Sequence, residues 1–194
     1  MWRLRLFFQM EAFGFREGNV MEQALLEQWV EELAEPDTRW PAVARLMAAG
    51  PEATDALRAG LSHRHATVRR GCCIVLDHYL DPAAVPELLA NVGHKNRKVR
   101  AWALHALACD RCKEGDCRPG ADDVVPLVLD RLANDPSARV RRMAVLLAAE
   151  YLGEPGVVEA IVRTAQTDPH PKVSKAAGWF VPGAPGYRRK LGTA

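Results

Sequence analysis

Three of the five cysteines fall close together, and this cluster is the part of the sequence best suited to chemistry. Cys109, Cys112 and Cys117 are spaced as Cys-x2-Cys-x4-Cys. Thiolate sulfurs at such spacing, with an imidazole nitrogen, are typical ligands of a structural zinc ion. His105 lies about one and two helical turns before the first two cysteines, so the three side chains share one face if the helix continues through them. The spacing therefore predicts a zinc site formed by the three cysteines and His105.

Other interpretations of the cluster remain open. Asp122 is an alternative fourth ligand, because it ends a zinc-knuckle-like spacing in which Cys117 stands where that family has His. An iron–sulfur cluster is another alternative, although the spacing matches none of the usual ferredoxin runs. A further alternative is that the cysteines are plain solvent-facing thiols. A thioredoxin-like redox role is less favoured, because that motif works on a βαβ background. Cys72 and Cys73 are poorer candidates, and Cys72 is expected to pack in the core.

A second candidate site consists of twelve of the 26 Lys and Arg residues of the chain. These cations are distributed over the starts of four predicted helices. The set is Arg64, Arg69, Arg70, Lys95, Arg97, Lys98, Arg100, Arg139, Arg141, Arg142, Lys172 and Lys175. A cation at a helix start opposes the helix dipole, so these residues indicate an anionic partner such as nucleic-acid phosphates. The predicted binding residues of this basic edge are Arg70, Lys95, Arg97, Lys98, Arg139 and Arg142. A solvated face without a partner is the alternative, and only Trp102 is available for base stacking.

The helices that position these residues repeat along the chain. Val68, Val99, Val140 and Val173 are 31, 41 and 33 residues apart. Apolar residues follow each valine at offsets of four, seven and eight, which is one face of an α-helix in the same register four times. The residues at offset four are Cys72, Ala103, Ala144 and Ala177. Side chains this small predict a close approach of neighbouring helices.

A shorter apolar helix, opened by Gly or Pro turns, precedes each of these helices. Two further helices, over about residues 21–34 and 40–49, form a degenerate leading repeat. We therefore predict an all-α solenoid of four to five helical hairpins over residues 21–181. Residues 1–20 are expected to be a loosely ordered extension, and residues 182–194 a C-terminal tail.

The pattern Asp-Pro-x-x-x-Val-Arg-x-x-Ala, as in residues 135–144, resembles a HEAT repeat, closest to the short bacterial type grouped with phycobilisome-lyase repeats. The resemblance covers roughly residues 50–181 and implies a fold more than a function, since such repeats occur in scaffolds, bilin lyases and a class of DNA glycosylases. It also implies that an Asp of one repeat pairs with an Arg of its neighbour. We call the series of such pairs along the array the Arg–Asp ladder. His63 and His94 replace that Asp and Ser174 replaces that Arg, so we expect the ladder to be interrupted there.

The longest repeat spacing contains an insertion, which corresponds to residues 109–120 and includes the cysteine cluster. Insertions in a solenoid are loops on one face and often carry function. His78 occupies the column equivalent to Cys109 one repeat earlier, and it is a further alternative zinc ligand. Asp77 precedes it and Glu150 falls in the same column, so a carboxylate and an imidazole could converge near the insertion. A simple surface role for these residues is the alternative.

The overall composition excludes few functions. The net charge of +2 and the 48% hydrophobic content are those of an ordinary globular chain, so nothing global requires nucleic acid or a membrane. No stretch approaches the ~20 apolar residues of a membrane span, and the N-terminal apolar run is too short for a signal peptide. An odd cysteine count suits a reducing compartment, and we expect a cytoplasmic protein.

Motifs for catalysis are missing from the sequence: it has no Gly-rich phosphate loop, nucleophile elbow or His-Glu-x-x-His. We therefore expect a non-enzymatic binding scaffold with a protein partner and a zinc-stabilised recognition loop. One alternative is nucleic-acid binding along the basic edge, including base excision of the HEAT-like glycosylase type. Another is a bilin lyase-like enzyme that uses a cysteine. Trp102 and Trp179 resemble base-reading aromatics, although Trp179 is expected to cover the end of the last repeat.

Overall fold

The computed structural model of the protein describes residues 22–78, 81–108 and 119–192. Within these ranges the regular structure is helical, and no residue is in a strand. Helix α1 covers residues 22–32. The other helices are α2 (Pro36–Ala49), α3 (Thr54–Leu61), α4 (Ala66–Leu76), α5 (Val85–Val92), α6 (Arg97–Ala108), α7 (Ala121–Asn134), α8 (Ala138–Ala148), α9 (Val157–Thr167), α10 (Pro171–Gly178) and α11 (Pro185–Leu191). Short 3-10 turns at Gly50–Ala53, Pro82–Ala84 and Ala149–Tyr151 precede α3 and α5 and follow α8.

The first ten helices form five consecutive hairpins. Within each hairpin from α3–α4 to α9–α10 the two helices pack against each other, and α1 and α2 are joined by a short turn. Each second helix also packs against the second helix of the next hairpin, and the first helices do the same from α3 to α9. A stack of hairpins in which each unit contacts its neighbours is an α-solenoid. The predicted fold class is confirmed.

The second helices α2, α4, α6, α8 and α10 form one row, called here the inner row. The small residues at offset four are fully buried in it: Cys72, Ala103, Ala144 and Ala177. From α4 to α10, consecutive second helices contact each other more extensively than consecutive first helices do. Because the spacing is tighter on this side, the solenoid bends around the inner row. The exposed side of its helices, called the inner face, is therefore concave.

The first hairpin follows the same register, which its sequence conceals. Helix α2 begins at Pro36 and not at Trp40, the start that the sequence predicts. Thr38 then takes the valine position, and Ala42, at offset four, is fully buried. Arg39 follows Thr38 and donates hydrogen bonds to two backbone carbonyls just past the end of α1. The equivalent arginines of the next three hairpins bond in the same way, so the first hairpin is a further copy of the same unit.

The segment predicted as a C-terminal tail contains helix α11, which packs back on the array. The N–H of Gly186 donates to the carbonyl oxygen of Trp179 at 3.1 Å. A Cβ at Gly186 would clash with the Trp179 ring, so only glycine fits at this approach. Lys190 forms an ion pair with Glu150, which follows α8. Helix α11 therefore covers part of Trp179, which stays half exposed.

Two helical glycines give a matched test of the close packing. A Cβ at Gly60 in α3 would lie 2.5 Å from Cys72 Sγ and 2.7 Å from Val30 Cγ1, whereas nothing lies within 4 Å of a Cβ at Gly178 in α10. We expect Gly60→Ala to lower the free energy of unfolding by about 1–3 kcal/mol, because the core has to shift. Gly178→Ala is expected to leave it unchanged or raise it by up to about 1 kcal/mol. Urea denaturation measures both, and equal stabilities would contradict the packing.

Candidate functional site

Buried ion pairs link the last three hairpins. Arg100 donates to Asp135 through Nε at 2.7 Å and Nη2 at 2.9 Å. Arg141 forms the same bidentate contact with Asp168, through Nε at 2.7 Å and Nη2 at 3.0 Å. Both carboxylates are almost fully buried, and each pair joins one repeat to the next. These arginines hold the array together and are not available to a partner.

The ladder stops where histidine replaces aspartate, as expected. Arg69 donates from Nη1 to Asn91 Oδ1 at 3.1 Å. Burial lowers the pKa of His94, and nearby cations lower it further, so the ring is neutral at neutral pH. His63 lies 3.3 Å from Glu31 of α1. At this position of the ladder a neutral amide therefore takes the place of a carboxylate, while the second and third hairpins are joined elsewhere by the ion pair of Arg58 with Glu87.

The six cations predicted as a basic edge separate into two groups. Four are at helix positions that share the inner face: Arg70, Lys98, Arg139 and Arg142. Lys95 lies in the turn before α6, and Arg97 is its first residue. Arg70 is half-buried and the others are exposed. The ion pairs between described residues all use other cations.

Positive charges from α2, α4 and α8 influence one another near the middle of the inner face. The Cζ of Arg139 lies 6.0 Å from the centroid of the Trp102 ring. Burial lowers the pKa of Arg70, and the charges of Arg39 and Arg139 lower it further. The Arg70 Nε is buried and has no hydrogen-bond partner among the described residues. A buried donor without an acceptor costs about 1–3 kcal/mol, so this arrangement is unfavourable for the protein alone.

Two residues of this face were missed by the sequence pattern. Arg39 belongs to α2, where Thr38 replaces the valine that identifies the repeat elsewhere. Trp40 occupies the position on α2 that Arg70 occupies on α4, and 62% of its surface is exposed. Aligning the arginine that caps each hairpin, instead of the valine before it, would have found both residues.

The opposite ends of the same helices carry carboxylates. Asp77 is the C-cap residue of α4, and Glu150 lies in the turn after α8. His105 Nε2 lies 3.3 Å from Asp77 Oδ2, and its ring meets Trp102 edge-on with centroids 5.2 Å apart. Glu150 pairs with Lys190 of α11. The inner face is therefore cationic over the N-terminal turns of its helices, and the carboxylates at the C-terminal ends are paired within the protein.

The predicted zinc site falls largely outside the described residues. Cys109, Cys112 and Cys117 lie there, and His105 is the one predicted ligand that the structure describes. In the described ranges no group of three or more His, Cys, Asp or Glu side chains could hold a metal ion. The zinc site stays a prediction.

The two remaining cysteines are core residues, as predicted for Cys72. Both thiols are fully buried in α4. Burial raises the pKa of Cys73 to about 12 and that of Cys72 well above its ordinary value. A protonated, buried thiol is neither a nucleophile nor a metal ligand.

Comparisons with known proteins agree with this architecture. Residues 24–108, which include most of α1 and all of α2 to α6, match the family model described as HEAT repeats. Among solved structures, a designed armadillo repeat protein in complex with the peptide (KR)4 superposes with a TM-score of 0.53. It shares 18% identity, and the match covers 87% of each chain. No curated protein matches the sequence. None of the described helices has the length and apolar content of a membrane span.

The stacked hairpins, the small-residue column and the exposed inner face define an α-solenoid repeat protein. The Arg–Asp ladder and the family match make the class more specific. The chain is a HEAT-type repeat protein, as the Val-Arg pattern predicts.

The Arg141–Asp168 pair leads to a pH-dependent prediction. Burial raises the pKa of Asp168, but hydrogen bonds from Arg141 and the His170 N–H lower it more, so the net shift is downward from 3.8. The stabilisation is therefore complete above the unfolded-state pKa and is lost as pH falls through the folded-state value. We expect Asp168→Asn to lower the free energy of unfolding by about 2 kcal/mol at neutral pH. The deficit relative to the parent protein should shrink below pH ~4.

Asp55→Asn is the matched control. It removes the same charge from an exposed pair, in which the Asp55 carboxylate lies 3.7 Å from Arg58. Exposed pairs contribute little, so the expected change is under about 0.5 kcal/mol. Denaturation curves at several pH values measure both variants. A deficit in Asp168→Asn that is the same at every pH would show that the ion pair is not its cause.

Proposed function

We propose that this protein is a non-enzymatic scaffold that binds an extended segment of another protein along its inner face. One observation carries the proposal: large aromatic and cationic side chains lie exposed or half-exposed on all five consecutive second helices. They are Trp40, Arg70, Trp102, Arg139 and Trp179. Tryptophan and arginine are the residues that most often dominate the energy of protein interfaces.

The geometry of a solenoid suits such a partner. Helices in a packed row lie about 8–10 Å apart, and an extended peptide advances about 3.3 Å per residue. Every third residue of the peptide therefore meets a new helix. The designed armadillo repeat protein with the same overall fold is in complex with the peptide (KR)4, which supports polypeptide binding by this chain.

Nucleic-acid binding, the alternative from the basic edge, is less favoured by the arrangement of charge. A phosphate backbone needs many free cations along its path. Arg69, Arg100 and Arg141 are held by internal hydrogen bonds. No observation favours a bilin lyase.

We also propose a zinc ion bound by Cys109, Cys112, Cys117 and His105, which would fix the insertion as a recognition loop beside the inner face. The contact of His105 Nε2 with Asp77 supports the role of this histidine. A metal-bound histidine commonly donates its second ring nitrogen to a carboxylate, and that bond orients the ring.

The inner face can be tested against the outer one. Random peptides displayed on phage and selected on the protein should yield binders. Trp40→Ala and Trp102→Ala are each expected to weaken such a binder by at least about tenfold, because the first removes an exposed aromatic anchor and the second removes the ring over which Arg139 lies. Leu127→Ala, which truncates an exposed apolar residue of α7, should change affinity by less than about twofold. Binders that depend on Leu127 and not on the tryptophans, or the absence of binders, would contradict the proposal.

Elemental analysis tests the zinc site. Protein purified in reducing buffer without a metal-affinity tag should contain about one zinc ion per chain. Cys109→Ser, Cys112→Ser and His105→Asn should each lower the zinc content and the melting temperature. His65→Asn, a change of the same type at an exposed position, should alter neither. Metal-free parent protein would show that the cysteines are ordinary thiols.

A further inference from the structure

The cationic centre of the inner face lacks a counter-ion. Arg70 of α4 and Arg139 of α8 belong to hairpins that are not neighbours, yet the charge of Arg139 lowers the pKa of Arg70, and Arg139 lies over Trp102 of the intervening α6. Neither arginine forms an ion pair or a hydrogen bond through its side chain with another described residue. The two positive charges repel each other, and a carboxylate bound to both would offset that repulsion.

The residue of α6 at the position between the two arginines is small. Ala101 takes the position there that Arg70 takes on α4, and its small side chain is buried. No third long side chain from α6 therefore lies at this position. The buried Nε of Arg70 is a donor whose acceptor a ligand would supply.

Trp102 positions Arg139 and is not free to stack on a base. The guanidinium of Arg139 lies over the indole ring, and His105 meets the ring edge-on. A guanidinium that lies over an aromatic ring can still donate its N–H groups to a ligand. This geometry suits a carboxylate, which accepts two parallel bonds from arginine. Single-stranded nucleic acid would need an exposed aromatic face.

Further cations continue from Arg70 and Arg139 along the inner row of helices. Arg142 of α8 and Lys172 and Lys175 of α10 continue it over the N-terminal turns of the next helices. A narrow, extended chain could follow this cationic band along the row of second helices. An extended acidic peptide is the anion that fits this band.

We propose that Arg70 and Arg139, with Trp102 beneath Arg139, bind a carboxylate side chain of an acidic peptide that lies along the inner face. The inference rests on the proposed function, because it names the chemistry of the partner at the same face. It also implies a charge preference opposite to the (KR)4 peptide in the designed armadillo complex.

The test uses fluorescein-labelled peptides (DE)4, (KR)4 and (GS)4 and fluorescence anisotropy on the whole chain. We expect (DE)4 to bind at least about tenfold more tightly than either other peptide. Arg70→Gln and Arg139→Gln should each weaken (DE)4 binding by at least about tenfold, and Arg139→Lys should weaken it less than Arg139→Gln. Arg163→Gln, which removes an exposed arginine of the outer helix α9, should change the affinity by less than about twofold. Melting temperatures confirm that each variant is folded.

Three results would overturn the inference. The first is (DE)4 binding that is equal in the parent protein and in folded Arg70→Gln and Arg139→Gln variants. The second is equal or tighter binding of (KR)4 or (GS)4. The third is a short DNA duplex that binds more tightly than (DE)4, which would assign the cations to nucleic acid. If phage-selected peptides bind the inner face while (DE)4 does not, the scaffold function stands and the acidic preference fails. If no peptide binds, both fail.

Discussion

The close approach of the second helices is the constraint on which the rest of the structure depends. Cys72, Ala103, Ala144 and Ala177 are fully buried where these helices meet, and a larger side chain would push neighbouring hairpins apart. Gly60 meets the same layer from α3. Because this side is packed more tightly than the other, the array curves, and its exposed second-helix surface becomes a concave face. Side chains from different hairpins converge on that face because of the curvature.

Charge is distributed on this frame in two ways. Arginines one place after the valine position turn into the stack, where they bind carbonyl oxygens and, in the third and fourth hairpins, carboxylates. Cations at the neighbouring positions project from the inner face and have no described ion-pair partner. A difference of one to two residues along a helix therefore separates a structural arginine from one that can meet a ligand. This division explains how a chain with a net charge of only +2 has a locally cationic surface.

The repeated helix register was predictable because one physical requirement, a small buried residue near each valine, recurs in four hairpins. The interrupted ladder was predictable too, since His63 and His94 cannot replace a carboxylate. The first hairpin was harder, because Thr38 conceals its register until the hydrogen bonds of Arg39 are seen. The electrostatic interaction between Arg70 and Arg139 could not be predicted from the sequence, because it depends on how three consecutive hairpins are arranged. Helix α11 was missed because proline and glycine at its start read as chain breakers.

The electrostatic interaction between Arg70 and Arg139 also bears on the mechanics of the array. In a solenoid each unit normally interacts only with the next one, so its shape is the sum of independent joints. Repulsion between these two arginines acts across an intervening hairpin and favours a flatter arc. An anion bound to both, as proposed above, would oppose that repulsion. Occupancy of one small site would then be coupled to the separation of the second and fourth hairpins.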